Sequence, residues 1–113
     1  ADSMHRSFAA GSPAAIEKIA TIADSLGAPF ATPMSYALCR ANIDELVRVT
    51  DQQLVAAMRF LLEQAHLAVE PASAAATAAL LGPLRDRLAG RRVGLIVSGA
   101  NIDTVSFARL VGS

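Results

Sequence analysis

The sequence predicts an α/β fold, mostly helical, with two to three short strands in a parallel sheet. Three observations predict it. Residues 93–97 read Val-Gly-Leu-Ile-Val, a short continuous apolar run of the kind found in strands buried on both faces. Residues 45–49 form a second short segment containing β-branched residues, and residues 50–66 and 72–88 between the two carry helical patterning. A strand–helix–helix–strand order implies a parallel pair with a right-handed crossover. Two strands make a poor sheet alone, so further strands have to be supplied from somewhere.

Taken in order, residues 2–10 read as a short helix closed by Gly11, and Ser12-Pro13 starts a new segment. Residues 14–20 fit a helix with Ile16, Ile19 and Ala20 on one face. Residues 22–32 are irregular, punctuated by Gly27 and Pro29, with Pro33 just beyond. Residues 34–40 form a helix with Pro33 in its first turn, where the missing amide costs little. Thr50 and Gln53 have capping-box spacing at the start of a strong helix. Leu54, Met58, Leu61 and Ala65 give that helix a buried stripe, and His66 stands near its carbonyl end. A connection at residues 67–70 leads through Pro71 into an alanine-rich helix over residues 72–79, whose small side chains permit close packing. Gly82-Pro83 interrupts the pattern, residues 84–88 resume it, and a last helix covers residues 104–110.

With 113 residues the chain is one domain or part of one. Ten basic side chains balance ten acidic ones, which argues against nucleic acid or an anionic membrane surface as partner. The mean hydropathy of +0.41 is high for a small domain, and it suggests that another chain or segment covers part of the surface. No uncharged stretch, residues 71–84 included, reaches the roughly 20 residues a bilayer span requires. No signal-peptide pattern opens the chain, and a lone cysteine, Cys39, makes no disulfide framework. A cytoplasmic setting is the expectation, and the first residues read as the middle of a longer gene product.

The stretch Ser98-Gly99-Ala100-Asn101-Ile102-Asp103 follows the predicted strand, where open α/β sheets bind ligands. Ser98 offers a hydroxyl, Gly99 admits close approach, and Asn101 and Asp103 suit local capping. Taken alone, these residues favour an ordinary strand-to-helix turn. Ser98 lacks a neighbouring base and a Gly-x-Ser-x-Gly elbow, so hydrogen bonding suits it better than nucleophilic attack. Glu70 sits in apolar surroundings at a helix start, which implies either a cap or a specific partner. His5 and His66 lack metal-ligand spacing, and Lys18, the sole lysine, reads as a solvated charge.

Two blocks in order, Val69-Glu70-Pro71-Ala72-Ser73-Ala74-Ala75 and Val97-Ser98-Gly99-Ala100-Asn101-Ile102-Asp103, resemble the C-terminal part of the threonine/serine dehydratases. That family includes serine racemase and has the tryptophan-synthase β-type fold, fold type II of the pyridoxal-phosphate enzymes. Ala1-Asp2-Ser3-Met4, the stretch Thr21-Ile22-Ala23-Asp24-Ser25-Leu26, and Val49-Thr50-Asp51 with the helix after it also fit. The resemblance covers the whole chain and implies that residues 1–113 are the C-terminal part of one catalytic domain. It implies that Ser98, with Gly99, meets the pyridine nitrogen of pyridoxal 5'-phosphate. It puts Glu70 on the cofactor or substrate side, and Ala31 where relatives often carry a glycine backing the cofactor. It also puts Ala1, through its backbone oxygen, near a divalent or monovalent cation site, with Ser3 where a carboxylate is common.

The resemblance further implies what lies outside these residues. The family's cofactor-binding lysine and glycine-rich phosphate loop fall upstream, and Lys18 does not match that lysine. The expected function is therefore that of a fragment. The parent would convert L-threonine or L-serine to a 2-oxo acid and ammonia, with the rest of its own polypeptide as partner and a homo-oligomer as the expected assembly. The alternative is a stand-alone, non-catalytic α/β interaction module derived from that fold. Upstream sequence separates the two.

Overall fold

The computed structural model describes residues 1–112 and divides into two compact units, Ala1–Arg48 and Val49–Ser113. In the first, α1 (Ser3–Ala10) ends at Gly11, whose φ of 70° is the left-handed conformation that a side chain disfavours. Ser7, fully buried, donates to the Ser3 carbonyl and accepts from the Ala14 amide. Helix α2 (Pro33–Asn42) carries Pro33 in its first turn and is capped by Thr32, whose hydroxyl accepts from the Ser35 amide. The two helices meet through an edge-on contact of Phe8 with Tyr36, and Arg40 lies 5.0 Å from the Phe8 ring centre.

Residues 14–20 are not helical. The Ile16 amide donates to Pro29 at 2.7 Å and the Ala31 amide to Ala14 at 3.2 Å, around an isolated antiparallel bridge of Ala15 with Phe30. Long-range backbone pairing overrides a helical pattern here that Pro13 and a few apolar residues only weakly specified. Residues 22–32 are irregular apart from the single 3-10 turn Asp24–Leu26.

In the second unit, α3 (Asp51–Ala65) starts with the capping box expected of Thr50 and Gln53. Each side chain satisfies the other residue's amide, at 2.8 and 3.2 Å. Leu54, Ala57, Met58 and Leu61 are buried, whereas Ala65 is exposed because the packed stripe stops one turn short of the helix end. Burial of each large side chain of that stripe contributes about 1.5–3 kcal/mol. The helix ends on His66 with φ 56° and ψ 33°. The amides of His66 and Leu67 reach back to Leu62 and Leu61, so the backbone rather than an imidazole cation terminates it.

The alanine-rich stretch packs on α3 as expected, though as a 3-10 turn (Ala72–Ala74) running into α4 (Ala75–Leu81). Gly82 leaves helical geometry before Pro83, as the steric demand of proline on its predecessor requires. A short α5 (Arg85–Leu88) follows. Helix α6 (Thr104–Gly112) also packs on α3. It starts at Asp103, whose carboxylate accepts from the Ser106 amide at 2.9 Å.

The two predicted strands do not form. Among the described residues the Ala15–Phe30 bridge is the one β pairing, and residues 45–49 and 93–97 have no ladder partner. Nor is the run 93–97 buried: Ile96 is 82% exposed, and Val93, Leu95 and Val97 are also open. A strand is defined by a neighbour's amides and carbonyls, and an apolar run is covered only when layers pack on it. The parallel pair inferred from the element order is therefore not seen among the described residues.

Candidate functional site

Three short pieces of the second unit converge where the turn at residues 98–103 was expected to matter. The connection at residues 67–70 delivers Glu70, the 3-10 turn delivers Ser73, and the apolar run ends in Ser98 and Gly99. The Glu70 amide donates to the Gly99 carbonyl at 3.4 Å, a long bond that ties the two segments. The Glu70 carbonyl in turn accepts from the amides of Ser73 and Ala74, which turns the chain into the helix. Pro71 sits inside this turn, where it has no amide to satisfy.

The side chains form a compact polar cluster. Ser73 Oγ and Ser98 Oγ lie 3.0 Å apart. Ser73 is 2% exposed, while Ser98 is exposed. A Cβ at Gly99 would stand 2.8 Å from Glu70 Oε1 and 3.8 Å from Ser73 Oγ. Glycine is therefore the residue that lets the buried carboxylate lie against the backbone beside Ser98. One turn beyond Ser73, Thr77 Oγ1 is buried without a partner among the described residues.

Of the residues singled out from sequence, Ser98, Gly99 and Glu70 thus come together. Ser73 completes the cluster and was missed. Its one sequence signal was a lone hydroxyl among alanines, three positions after Glu70, and that also fits a passive small residue. Ala31 belongs to the first unit, where it is buried and its amide is held by Ala14.

Ala1 is exposed, and the oxygens that follow it are committed elsewhere. Asp2 pairs with Arg6 at 2.8 Å and with Arg48 at 3.3 Å. Chiefly the Arg6 hydrogen bond holds its carboxyl below the usual carboxylate range. Ser3 donates to the Ala28 carbonyl at 2.9 Å. No group of three His, Cys, Asp or Glu among the described residues is placed to hold a metal. Asp103 also lies below the usual range, chiefly because the Ser106 amide donates to it, and its role is that of a helix cap.

Comparison with known proteins finds relatives that match this chain along almost its whole length. The family model for pyridoxal-phosphate dependent enzymes matches residues 1–99. The chain belongs to this family. It is 54% identical to a phenylserine dehydratase of Ralstonia pickettii over 99% of the chain and 34% of that protein. It is 36% identical to an L-threo-3-hydroxyaspartate ammonia-lyase of a Pseudomonas species over 94% of the chain and 33% of that protein. Among solved structures, maize serine racemase superposes with a TM-score of 0.85 at 32% identity, covering 96% of this chain and 35% of that one. The chain thus shares the fold of the matching part of these enzymes and spans about a third of the length of the curated relatives it matches. No helix among the described residues is long and apolar enough to cross a membrane.

Proposed function

We propose that this chain is the C-terminal part of a pyridoxal-phosphate-dependent dehydratase, and that Ser98 holds the pyridine nitrogen of the cofactor. The parent enzyme removes water from a 3-hydroxy amino acid such as L-threonine or L-serine, giving a 2-oxo acid and ammonia. The observation that carries this reading is the Ser98 hydroxyl, exposed on one side and backed by buried Ser73 and Glu70 on the other.

The residues present fit the group. Bound pyridoxal phosphate supplies an electron sink for the pair left when an α-proton departs. Ser98 supplies a neutral hydroxyl to the ring nitrogen, where a carboxylate would hold a proton on it. A less electron-demanding ring suffices when a β-hydroxyl leaves promptly, and it limits side reactions of a long-lived carbanion. Gly99 keeps the backbone beside Ser98 free of side-chain bulk, and Glu70 braces that backbone through its amide. Lys18 is exposed in an irregular segment and is given no role; the lysine that binds the cofactor and the loop that holds its phosphate are assigned to the remainder of the polypeptide, as the family resemblance implies. Open apolar side chains, among them Ile96 and Val105, suit cover by that remainder or by a second copy in a homo-oligomer.

The test uses the full-length gene product. It is expected to show the cofactor's absorption band and to release ammonia from threonine or serine. Ser98→Asp is expected to shift the band and cut turnover about tenfold or more, since it replaces a neutral donor with a charged acceptor. A protein with no cofactor band, or a Ser98→Asp variant with unchanged band and turnover, refutes the assignment. The second outcome leaves family membership intact and removes only the role of Ser98.

A further inference from the structure

We infer that Ser73 is a positioning residue that fixes the direction of the Ser98 hydroxyl, so that Ser98 presents a proton rather than a lone pair to whatever docks against it. The inference rests on the assignment of Ser98 to the cofactor's ring nitrogen and extends it to a residue outside that contact.

The argument is one of satisfying two hydroxyls with one contact. The 3.0 Å separation of Ser73 Oγ and Ser98 Oγ admits either as donor. The two ends are not equivalent, because Ser73 is 2% exposed and Ser98 is exposed. Among the described residues, the partner of Ser73 Oγ is Ser98 Oγ. If Ser98 donated inward, the Ser73 proton would be buried with no acceptor. If Ser73 donates, its proton is satisfied and the Ser98 proton turns to the open side, where solvent or a ligand accepts it. Avoiding a buried, unmet donor favours the second arrangement by about five- to a hundredfold.

The fixed direction has a chemical consequence. A hydroxyl that has one lone pair taken by Ser73 and its proton turned outward favours an unprotonated ring nitrogen over a protonated one, for which a single lone pair is left. Without Ser73, the Ser98 hydroxyl is free to rotate and serve either form. Serine at position 98 therefore supplies the neutral group, and Ser73 makes that group selective for the uncharged ring. Gly99 completes the arrangement by leaving room for Glu70 Oε1, so that buried Ser73 and the backbone carrying Ser98 stay in register.

The experiment uses the full-length holoenzyme in four forms: wild type, Ser73→Ala, Ser98→Ala and the double variant. One readout is the dissociation constant of pyridoxal phosphate, titrated into apoprotein by absorbance. The other is the ring-nitrogen 15N shift of labelled cofactor as a function of pH. Ser73→Ala is expected to weaken cofactor binding about fivefold, the worth of one net hydrogen bond. It is also expected to raise the apparent pKa of the ring nitrogen by about 0.7 unit, the same factor in a proton equilibrium. In the Ser98→Ala background, Ser73→Ala is expected to change neither quantity, because the two hydroxyls act as one unit. Equal effects of Ser73→Ala in both backgrounds, or an unmoved ring-nitrogen titration in Ser73→Ala, overturn the positioning role while leaving Ser98 as the ring contact. If Ser98→Ala alters neither readout, the underlying assignment fails and the inference with it. Circular dichroism of the Ser73→Ala apoprotein confirms folding, and Ser73→Cys, which keeps volume and a weak donor, replaces it if folding is lost.

Discussion

Adding one methyl group at Gly99 tests the packing of the whole cluster. The new Cβ would stand 2.8 Å from Glu70 Oε1, where ordinary contact begins at 3.4 Å. Either the carboxylate retreats by about 0.6 Å or the backbone carrying Ser98 moves away from Ser73. Glu70 is only 9% exposed, so it has little room, and its amide is bonded to the Gly99 carbonyl. Overpacking of this kind costs about 1–3 kcal/mol, offset by up to about 1 kcal/mol because alanine restricts the unfolded chain. Gly99→Ala should therefore destabilise the full-length protein by about 0.5–2 kcal/mol in denaturant titration. The cost should fall by about half or more in a Glu70→Asp background, where the carboxylate is one methylene shorter. A Gly99→Ala variant as stable as the parent, or one with the same cost in both backgrounds, would show that the close approach is not what requires glycine.

Three further perturbations probe the surrounding frame. His66 holds a φ of 56° at the end of α3, so His66→Gly should stabilise the protein by about 0.5–1 kcal/mol in thermal or denaturant unfolding; a loss instead would mean that the imidazole makes a compensating contact. Thr50→Ala removes half of a reciprocal cap and should cost about 1 kcal/mol, with Thr50→Ser nearly neutral; equal losses for both would locate the effect outside the hydroxyl. Asp103 is held below its ordinary pKa in the folded state by the Ser106 amide, so its cap contributes stability above the unfolded value of about 3.9 and loses it as pH falls through the lower folded value. Wild type should exceed Asp103→Ala in stability at neutral pH and converge with it in acid, and a gap that persists below that window would assign the difference to something other than the carboxylate charge.

Features governed by neighbours along the chain were legible before the fold was known. The Thr50–Gln53 box, Gly11 as a helix stop, Pro33 in a first turn and the Asp103 cap each depend on backbone groups within a few residues. The helices that these signals bound formed close to where they were expected. The signals that failed had no such local warrant. A weak helical pattern at residues 14–20 yielded to pairing with Pro29 and Ala31, which lie beyond the reach of any local window. The apolar run at residues 93–97 reads as a strand buried on both faces, yet its side chains stay open, because apolarity supplies neither a ladder partner nor the covering layer. The site divides in the same way. Ser98, Gly99 and Glu70 stood out through residue type and block order, whereas Ser73 looked like one more small residue in an alanine-rich helix.

By itself the sequence determined the helical frame, the family resemblance and the hydroxyl offered at position 98, because side-chain type and short-range spacing specify these. Tertiary structure decided which groups meet. It brought Ser73 to 3.0 Å from Ser98 and Gly99 against Glu70, and it buried one serine while leaving the other open. Residue identity specifies that a hydroxyl can donate or accept. Only the unequal burial of two hydroxyls across a single contact selects which of them points its proton outward.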